Sequence, residues 1–302
     1  MAEQLDHKAF LAGLSPEVRR ELTALRDGPG LRHVAVHLGL ILGMGVYVGI
    51  GLPFWPLALF PLGLVLACLF MLQHECTHLT PFRTPWLNHV LGHLAGLIIL
   101  QPFLWFRAFH MAHHRHTNDP KRDPELAEPK PDGAGALILY LVDVNYWLAK
   151  PRTLLGNAFG PLEAAYIPRR QRHPIRVEAW AMLSVYAALA LSIPWTGALL
   201  FWVWLFPLAL GFPVLRLYLL AEHGRCPKVA NMFDNTRTTL TNRLVRFLAW
   251  NMPYHAEHHA WPAVPFHNLA AVHRLAEDHL RQVAPGYRAF TRAYVSGTGP
   301  SS

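Results

Sequence analysis

Three histidine-rich stretches stand out in this chain of 302 residues, which holds nineteen histidines in all. Residues 74–78 read HECTH, residues 110–116 read HMAHHRH and residues 255–259 read HAEHH, with His223 alone in LLAEHG. On a helix, side chains at i, i+3 and i+4 share a face. His74 and His78 therefore present two imidazoles together. His110, His113 and His114 present two together with a third beside them, and His255, His258 and His259 repeat that pattern. Imidazole nitrogen suits zinc and iron. Eight such groups from three segments, with His223 besides, exceed what one tetrahedral zinc can use. They suit two metal ions that keep positions open for oxygen. The first stretch also fits another chemistry: H-E-x-x-H on a helix is a zinc-protease pattern, with Glu75 as general base. Membrane zinc proteases of the site-2 class take a third ligand from an Asp-Gly pair in a later spanning helix. Asp132-Gly133 lies instead in the polar run EPKPDGAG, and a protease would leave both H-x-x-H-H boxes unused.

The elements that must position these boxes are membrane helices. The chain is 52% hydrophobic and 15% charged, where soluble domains average about 25% charged, and the shortfall is concentrated in a few uncharged blocks. A spanning helix needs roughly 20 apolar residues. Four blocks approach or exceed that: 33–52, 54–72, 177–193 and 197–220. A fifth, 87–106, is interrupted by His89, His93 and Gln101 and reads as interfacial or re-entrant. All 27 Lys and Arg fall before residue 33, between 83 and 176, or from 216 onward, and the turns near 51–53 and 194–197 have none. By positive-inside bias, two tight hairpins face outward, while both termini and every histidine box face the cytoplasm. The net charge of +8 then belongs to that face. It follows from the bias and from anionic headgroups, or, more sharply, from docking of an acidic electron carrier. No nucleic-acid partner is expected.

The N-terminal stretch MAEQLDHKAFLAGLSPEVRRELTAL is polar and mixed in charge, and reads as a short cytoplasmic helix rather than a signal peptide. Cys68, Cys76 and Cys226 form no C-x-x-C pair, and their odd number argues against a disulfide framework. The expected organisation is one all-α integral-membrane domain over 1–302. A cytoplasmic segment (1–32) precedes a hairpin of spans (33–72), then a cytoplasmic and interfacial stretch with the first two boxes (73–176). A second hairpin (177–220) and a cytoplasmic end with the third box (221–302) follow.

The motifs HECTH, HMAHHRHTND and HAEHHAWPAVPFHNL, in that order and with two spans before the third, resemble the three histidine boxes of the integral-membrane fatty acid desaturases and hydroxylases. The resemblance runs from the second span to His273. It implies four transmembrane helices under a cytoplasmic histidine-rich helical cap, and a non-haem diiron centre (two Fe) that uses O2. It implies that His223, about one helix before the third box, is a ninth ligand beside His74, His78, His110, His113, His114, His255, His258 and His259. The family leaves the position of His116 variable, so His116 is not expected to bind metal. In some desaturases an asparagine one turn before the ninth histidine contributes through water; here that position is Leu219.

Ligating histidines usually donate their other ring N–H to a carboxylate or carbonyl. Glu75, Asp119, Glu222 and Glu257 adjoin ligands and are candidate partners of this kind, as is Asn118 in the second box. His267 and His273 read as structural or surface residues, with His267 kept as an outside candidate for metal contact. His89 and His93 read as packing or hydrogen bonding beneath the metal site. The polar loop 235–239 (NTRTT) reads as a helix N-cap, with the alternative that Arg237 holds a substrate headgroup or carboxylate. Trp250, Tyr254 and Trp261 read as aromatic residues of the membrane interface.

With the resemblance, these residues lead to the expectation of an oxygen-dependent desaturase that draws hydrogen from an acyl chain entering from the bilayer. A lipid hydroxylase or carotenoid-type oxygenase of the same diiron group begins with the same hydrogen abstraction. A non-catalytic metal- or lipid-binding protein would be expected to lack a box histidine, and none is missing. No fused haem-binding carrier is recognisable, so electrons are expected from a separate ferredoxin-like donor with its reductase. The small size points to a bacterial inner membrane.

Overall fold

The computed structural model describes residues 5–297. The N-terminal segment forms two short helices, α1 (His7–Gly13) and α2 (Pro16–Leu22). They are two rather than the expected one because Ser15-Pro16 is itself a helix start: the Ser15 hydroxyl accepts from the Val18 N–H and proline occupies the first turn.

Among the described residues, four helical segments are long and apolar enough to cross a membrane: Pro16–Gly49, Trp55–His78, Arg169–Leu191 and Phe201–His223. They overlap the four blocks read from the sequence, and each runs further into an adjoining polar stretch at one end. The first contains α3 (Asp27–Gly49). The second is a 3-10 turn (Trp55–Ala58) leading into α4 (Leu59–Ala67) and α5 (Leu69–His78), with a break at Cys68. The break frees the Val65 carbonyl, which accepts from His37 Nε2–H of α3 at 2.8 Å. The other nitrogen of His37 accepts from the Trp250 indole at 3.4 Å. The first box is thus the last turn of a spanning helix, ended at Leu79 in the left-handed conformation.

The block 87–106 becomes α6 (Pro85–Ile98) and α7 (Phe103–His116), bent by 103° at their junction. Leu100 takes a φ of 60°, and the Gln101 N–H donates to the Gly96 carbonyl at 2.8 Å. A Cβ on Gly96 would lie 2.4 Å from the Gln101 carbonyl oxygen, so the corner closes only over glycine. Two further helices follow, α8 (Gly133–Leu141) and α9 (Val144–Phe159), with exposed apolar residues such as Ile138, Leu139, Val144 and Phe159. The third span is α10 (Arg169–Leu191); a single turn, α11 (Ile193–Thr196), and Gly197 at φ 56° reverse the chain. A π-helical turn (Phe201–Leu205) then enters α12 (Phe206–His223).

Helices α4 and α12 cross with their backbones in contact. A Cβ on Gly63 would lie 2.0 Å from the Pro207 carbonyl oxygen, and one on Gly211 would lie 2.0 Å from that of Gly63. Small residues at such crossings let membrane helices approach closely. This crossing sets the span that ends in the first box against the helix that carries His223.

The remainder folds as α13 (Met232–Asn235), α14 (Arg243–Leu248), α15 (His255–Ala260), α16 (Leu269–Ala276) and α17 (Tyr287–Ser296). The sheet is a parallel pair of two-residue strands, β1 (Thr238–Thr239) and β2 (Val283–Ala284). The stretch expected to be a polar capping loop is therefore buried: Asn235, Thr236, Arg237, Thr238 and Thr239 are all inside. Trp250 is buried in the main hydrophobic core beside Phe266 and His33, not at an interface. Helical structure with four apolar spans and almost no sheet is the architecture observed.

Candidate metal centre

Each box is positioned by its own helix end. Thr77 donates to the His74 carbonyl within α5, and Arg107 of α7 donates from Nε to the Thr77 carbonyl at 2.8 Å. That places a cation at the negative end of α5 and ties the first box to the second. At the other end of α7, the Glu178 carboxylate from the third span accepts from the Phe103 and Leu104 N–H groups at 2.8 and 2.9 Å. His93 Nδ1 lies 2.7 Å from the same carboxylate. The second box thus extends from a helix whose N-terminus is capped by another span.

The histidines converge in two neighbouring groups. His74, His78, His110, His114 and His258 each offer a nitrogen within 4.8 Å of the others, and His113, His223 and His259 do the same. His255 stands beside the second group, with its Nε2 3.2 Å from that of His223. Consecutive residues part company: His113 and His258 face groups opposite to those of His114 and His259. Neighbours on an α-helix project about 100° apart at 3.6 residues per turn, so each HH doublet reaches both groups at once. The rings of His114 and His259 stack at 4.0 Å across the divide.

The partners of the second group fix its tautomers. His113 Nδ1–H donates to Asp123 at 2.9 Å, with Glu125 at 3.1 Å. His223 Nδ1–H donates to the Asn235 carbonyl at 3.3 Å. Thr117 gives its hydroxyl proton to the His113 carbonyl, so its oxygen accepts from His259 Nδ1–H at 3.1 Å. Three Nε2 lone pairs therefore point at one another, with those of His113 and His223 only 3.2 Å apart. In the first group the Nε2 atoms of His78 and His110 are 2.9 Å apart. Among the described residues, both ring nitrogens of His74, His114 and His258 are buried with no hydrogen-bond partner, as is His259 Nε2. Converging lone pairs and orphaned buried nitrogens are unfavourable unless a cation lies between them. Two metal–imidazole bonds of about 2.1 Å, spread by 90–110°, separate their nitrogens by roughly 3.0–3.4 Å. The donor set fits two metal ions.

Electrostatics point the same way. Burial, then the neighbouring histidines, holds His110, His114, His255, His258 and His259 well below the usual range, so they are neutral imidazoles. Burial acts on His113 too, but Glu125 and Asp123 outweigh it and hold that ring above the usual range. Carboxylates on Nδ1–H in this way make the opposite nitrogen a better donor.

Other expected residues fall in different places. Glu75 is fully buried between His74 and His258, at 3.7 and 3.8 Å, and accepts from the Phe266 N–H. Glu222 lies 3.3 Å from His255 Nδ1. Asn118 touches no ligand: its amide donates to the Asn235 carbonyl that His223 also uses. Asp119 turns to the surface and pairs with Arg122 at 2.7 Å. Glu257 turns away from the metal groups to His273 and Thr238. Arg237 is buried and donates to the Ala221 carbonyl at 2.7 Å, serving the end of α12 rather than a headgroup. His267 packs on Phe266 outside both groups, and Leu219 lines the adjoining cavity. Asp123, Glu125, Thr117 and Asn235 were not expected. The acids in DPKRDPE after the second box were the available signal.

A cavity of about 640 Å³ opens onto His74, His110 and His255. Phe70, Trp105, Phe106, Phe109 and Leu219 form its apolar wall, and Tyr140, Tyr146, Glu128, Lys130 and Arg216 its polar part. Small-molecule sites run about 300–1,000 Å³ with mostly apolar walls and a few polar groups. The cavity is bounded by α7, α8, α9 and α12, so it lies beside the apolar surface of α8 and α9.

A family model described as fatty acid desaturase matches residues 50–291. An sn-1 oleoyl-lipid 12-desaturase of Picosynechococcus sp. is 27% identical over 246 residues, covering 72% of this chain and 66% of that protein. A fatty acid desaturase of Bacillus subtilis is 27% identical over 236 residues, 68% of this chain and 63% of its own length. An sn-1 acyl-lipid omega-3 desaturase (ferredoxin) of Nostoc sp. is 31% identical over 86 residues, 28% of this chain and 24% of that protein. The chain thus spans about two thirds of the length of the first two relatives.

Proposed function

The chain belongs to the fatty acid desaturase family, and from that membership we propose that it is an oxygen-dependent acyl-lipid desaturase whose histidines hold two irons. The observation that carries this reading is the pair of adjoining histidine groups that open onto a largely apolar cavity. His74, His78, His110, His114 and His258 would hold one ion; His113, His223, His255 and His259 would hold the other. Iron there supplies the oxidising power, with O2 and two electrons, to take hydrogen from an unactivated methylene, which side chains alone cannot do.

The chain's own residues bind, orient and exclude water. Phe70, Trp105, Phe106 and Phe109 grip an acyl chain beside His74 and His110. Asp123, Glu125, Thr117 and Asn235 keep the protons of the second group on Nδ1 and so aim each Nε2 inward. Glu75 lies against both His74 and His258, close enough to steady the first group. The chain sits in the membrane as one unit. By the distribution of Lys and Arg, its termini and metal centre face the cytoplasm of a bacterium. Electrons come from a separate ferredoxin-like donor.

The test is expression of the intact chain in a host with a defined lipid pool, followed by mass spectrometry of its lipids. An acyl product lighter by two mass units is expected. A product heavier by one oxygen atom, or none from iron-loaded protein supplied with reductant, overturns the reading.

A further inference from the structure

We propose that the basic depression above the second histidine box is the docking site of an acidic one-electron carrier protein. The proposal rests on the desaturase reading for its need of electrons, and on separate observations for its place. The depression, of about 500 Å³, is edged by Lys8, Arg115, Arg122 and Lys228, and among the described residues Asp119 is its only acidic lining residue. Asp119 is taken up by Arg122. Among the described residues, no carboxylate lies within 4.0 Å of the charged nitrogens of Lys8, Arg115 or Lys228. Unneutralised charges around a concavity raise the local concentration of an oppositely charged partner and steer its approach.

Thr117 and Asn118 also line the depression and are 5% and 4% exposed. Thr117 Oγ1 touches His259 Nδ1 at 3.1 Å, and the Asn118 amide holds the carbonyl that accepts from His223. One side chain therefore separates a docked carrier from the second histidine group. A lipid headgroup surface fits less well. Most exposed large apolar residues lie on α3, α6, α8, α9 and α10 and around 52–60 and 191–205, and Val229 alone of that set lines the depression. The electron count is closed: two reduced carriers each lose one electron, the substrate loses two hydrogens, and O2 takes these with two protons from solution to leave as two waters.

The test uses the full chain in nanodiscs of zwitterionic lipid, titrated with an acidic plant-type 2Fe–2S ferredoxin at low and high salt. Wild-type binding is expected and weakens as salt rises. Lys8→Glu with Arg115→Glu and Lys228→Glu should weaken it at least tenfold and flatten the salt dependence, with the thermal midpoint and metal content unchanged. If the triple variant fails to fold, Lys228→Glu alone should weaken binding about threefold. Arg169→Glu with Arg170→Glu, on the exposed start of α10, should leave binding within twofold. Wild-type protein that does not bind, or patch variants that bind as tightly as wild type, overturn the proposal. Lipid product formed with a chemical reductant in that case leaves the desaturase reading standing and removes only the docking site.

Discussion

At the scale of single residues, the centre is a set of imidazoles whose far nitrogens are tied down. Among the described residues, the His258 ring has no hydrogen-bond partner, and it faces four other histidines. His258→Ala should therefore remove product and drop the iron content from two to one or fewer, while the protein still inserts in membranes. Asp123 bonds His113 and also accepts from the Asn118 and Glu125 N–H groups. Loss of such a partner costs about 10- to 100-fold in metal affinity, and Asp123→Ala should show that loss in a competition titration against a chelator. His267 gives a pH effect away from the metal. Burial, then Arg26, lowers it to about 4, against about 6.5 unfolded. Between those values the unfolded chain binds the extra proton, so this contribution is full above pH 6.5 and fades as pH falls toward 4. His267→Gln should flatten the acid limb of a plot of thermal midpoint against pH. The box histidines stood out in the sequence because helical spacing sets those within a box near one another; what brings the boxes together is tertiary packing. Their anchors were not. Glu257 and Asp119 adjoin ligands in sequence, but residues next to one another on a helix point different ways, and both turned elsewhere. Asp123 and Asn235 reach their histidines across turns that no local spacing announces.

At the scale of elements, the site depends on how helices end and how closely they cross. Glu178 offers both carboxylate oxygens to the first N–H groups of α7. Glu178→Ala would leave those donors buried without partners, at about 1–3 kcal/mol for a buried unsatisfied group. A lower thermal midpoint is expected, together with reduced metal content, although residue 178 touches no box histidine. The crossing of α4 and α12 leaves no room for a side chain at Gly211. Gly211→Val should push the two spans apart and prevent accumulation of folded protein, read by size-exclusion profile in detergent. The four spans were legible from apolar length, and the polar interruptions of 87–106 marked that block as no plain span, though not where it bends. The buried β1–β2 pair was not: two residues per strand carry no periodicity, and the partners are 45 positions apart, Thr238 with Val283.

At the scale of the whole molecule, charge and greasiness are segregated. The turns at 51–53 and 194–197 carry no Lys or Arg, while the segments that hold the boxes, 73–176 and 221–302, hold most of them. Single cysteines placed at Gly51 and Gly197, in a chain with its native cysteines replaced, should react with an impermeant maleimide added outside intact cells. Cysteines at Arg20 and Arg288 should react only after lysis. The order in which the donors occur along the chain has a further consequence, for biosynthesis. The first box is translated early, at residues 74–78, but its group is closed by His258 and the second group by His259. His37, in the first span, likewise receives the Trp250 indole only when the last quarter of the chain arrives. A nascent chain paused before residue 255 has its four spans and at most six of the nine donors. On the proposed diiron reading, metal loading would come late, after membrane insertion, and chains truncated ahead of the third box should insert normally yet emerge without iron.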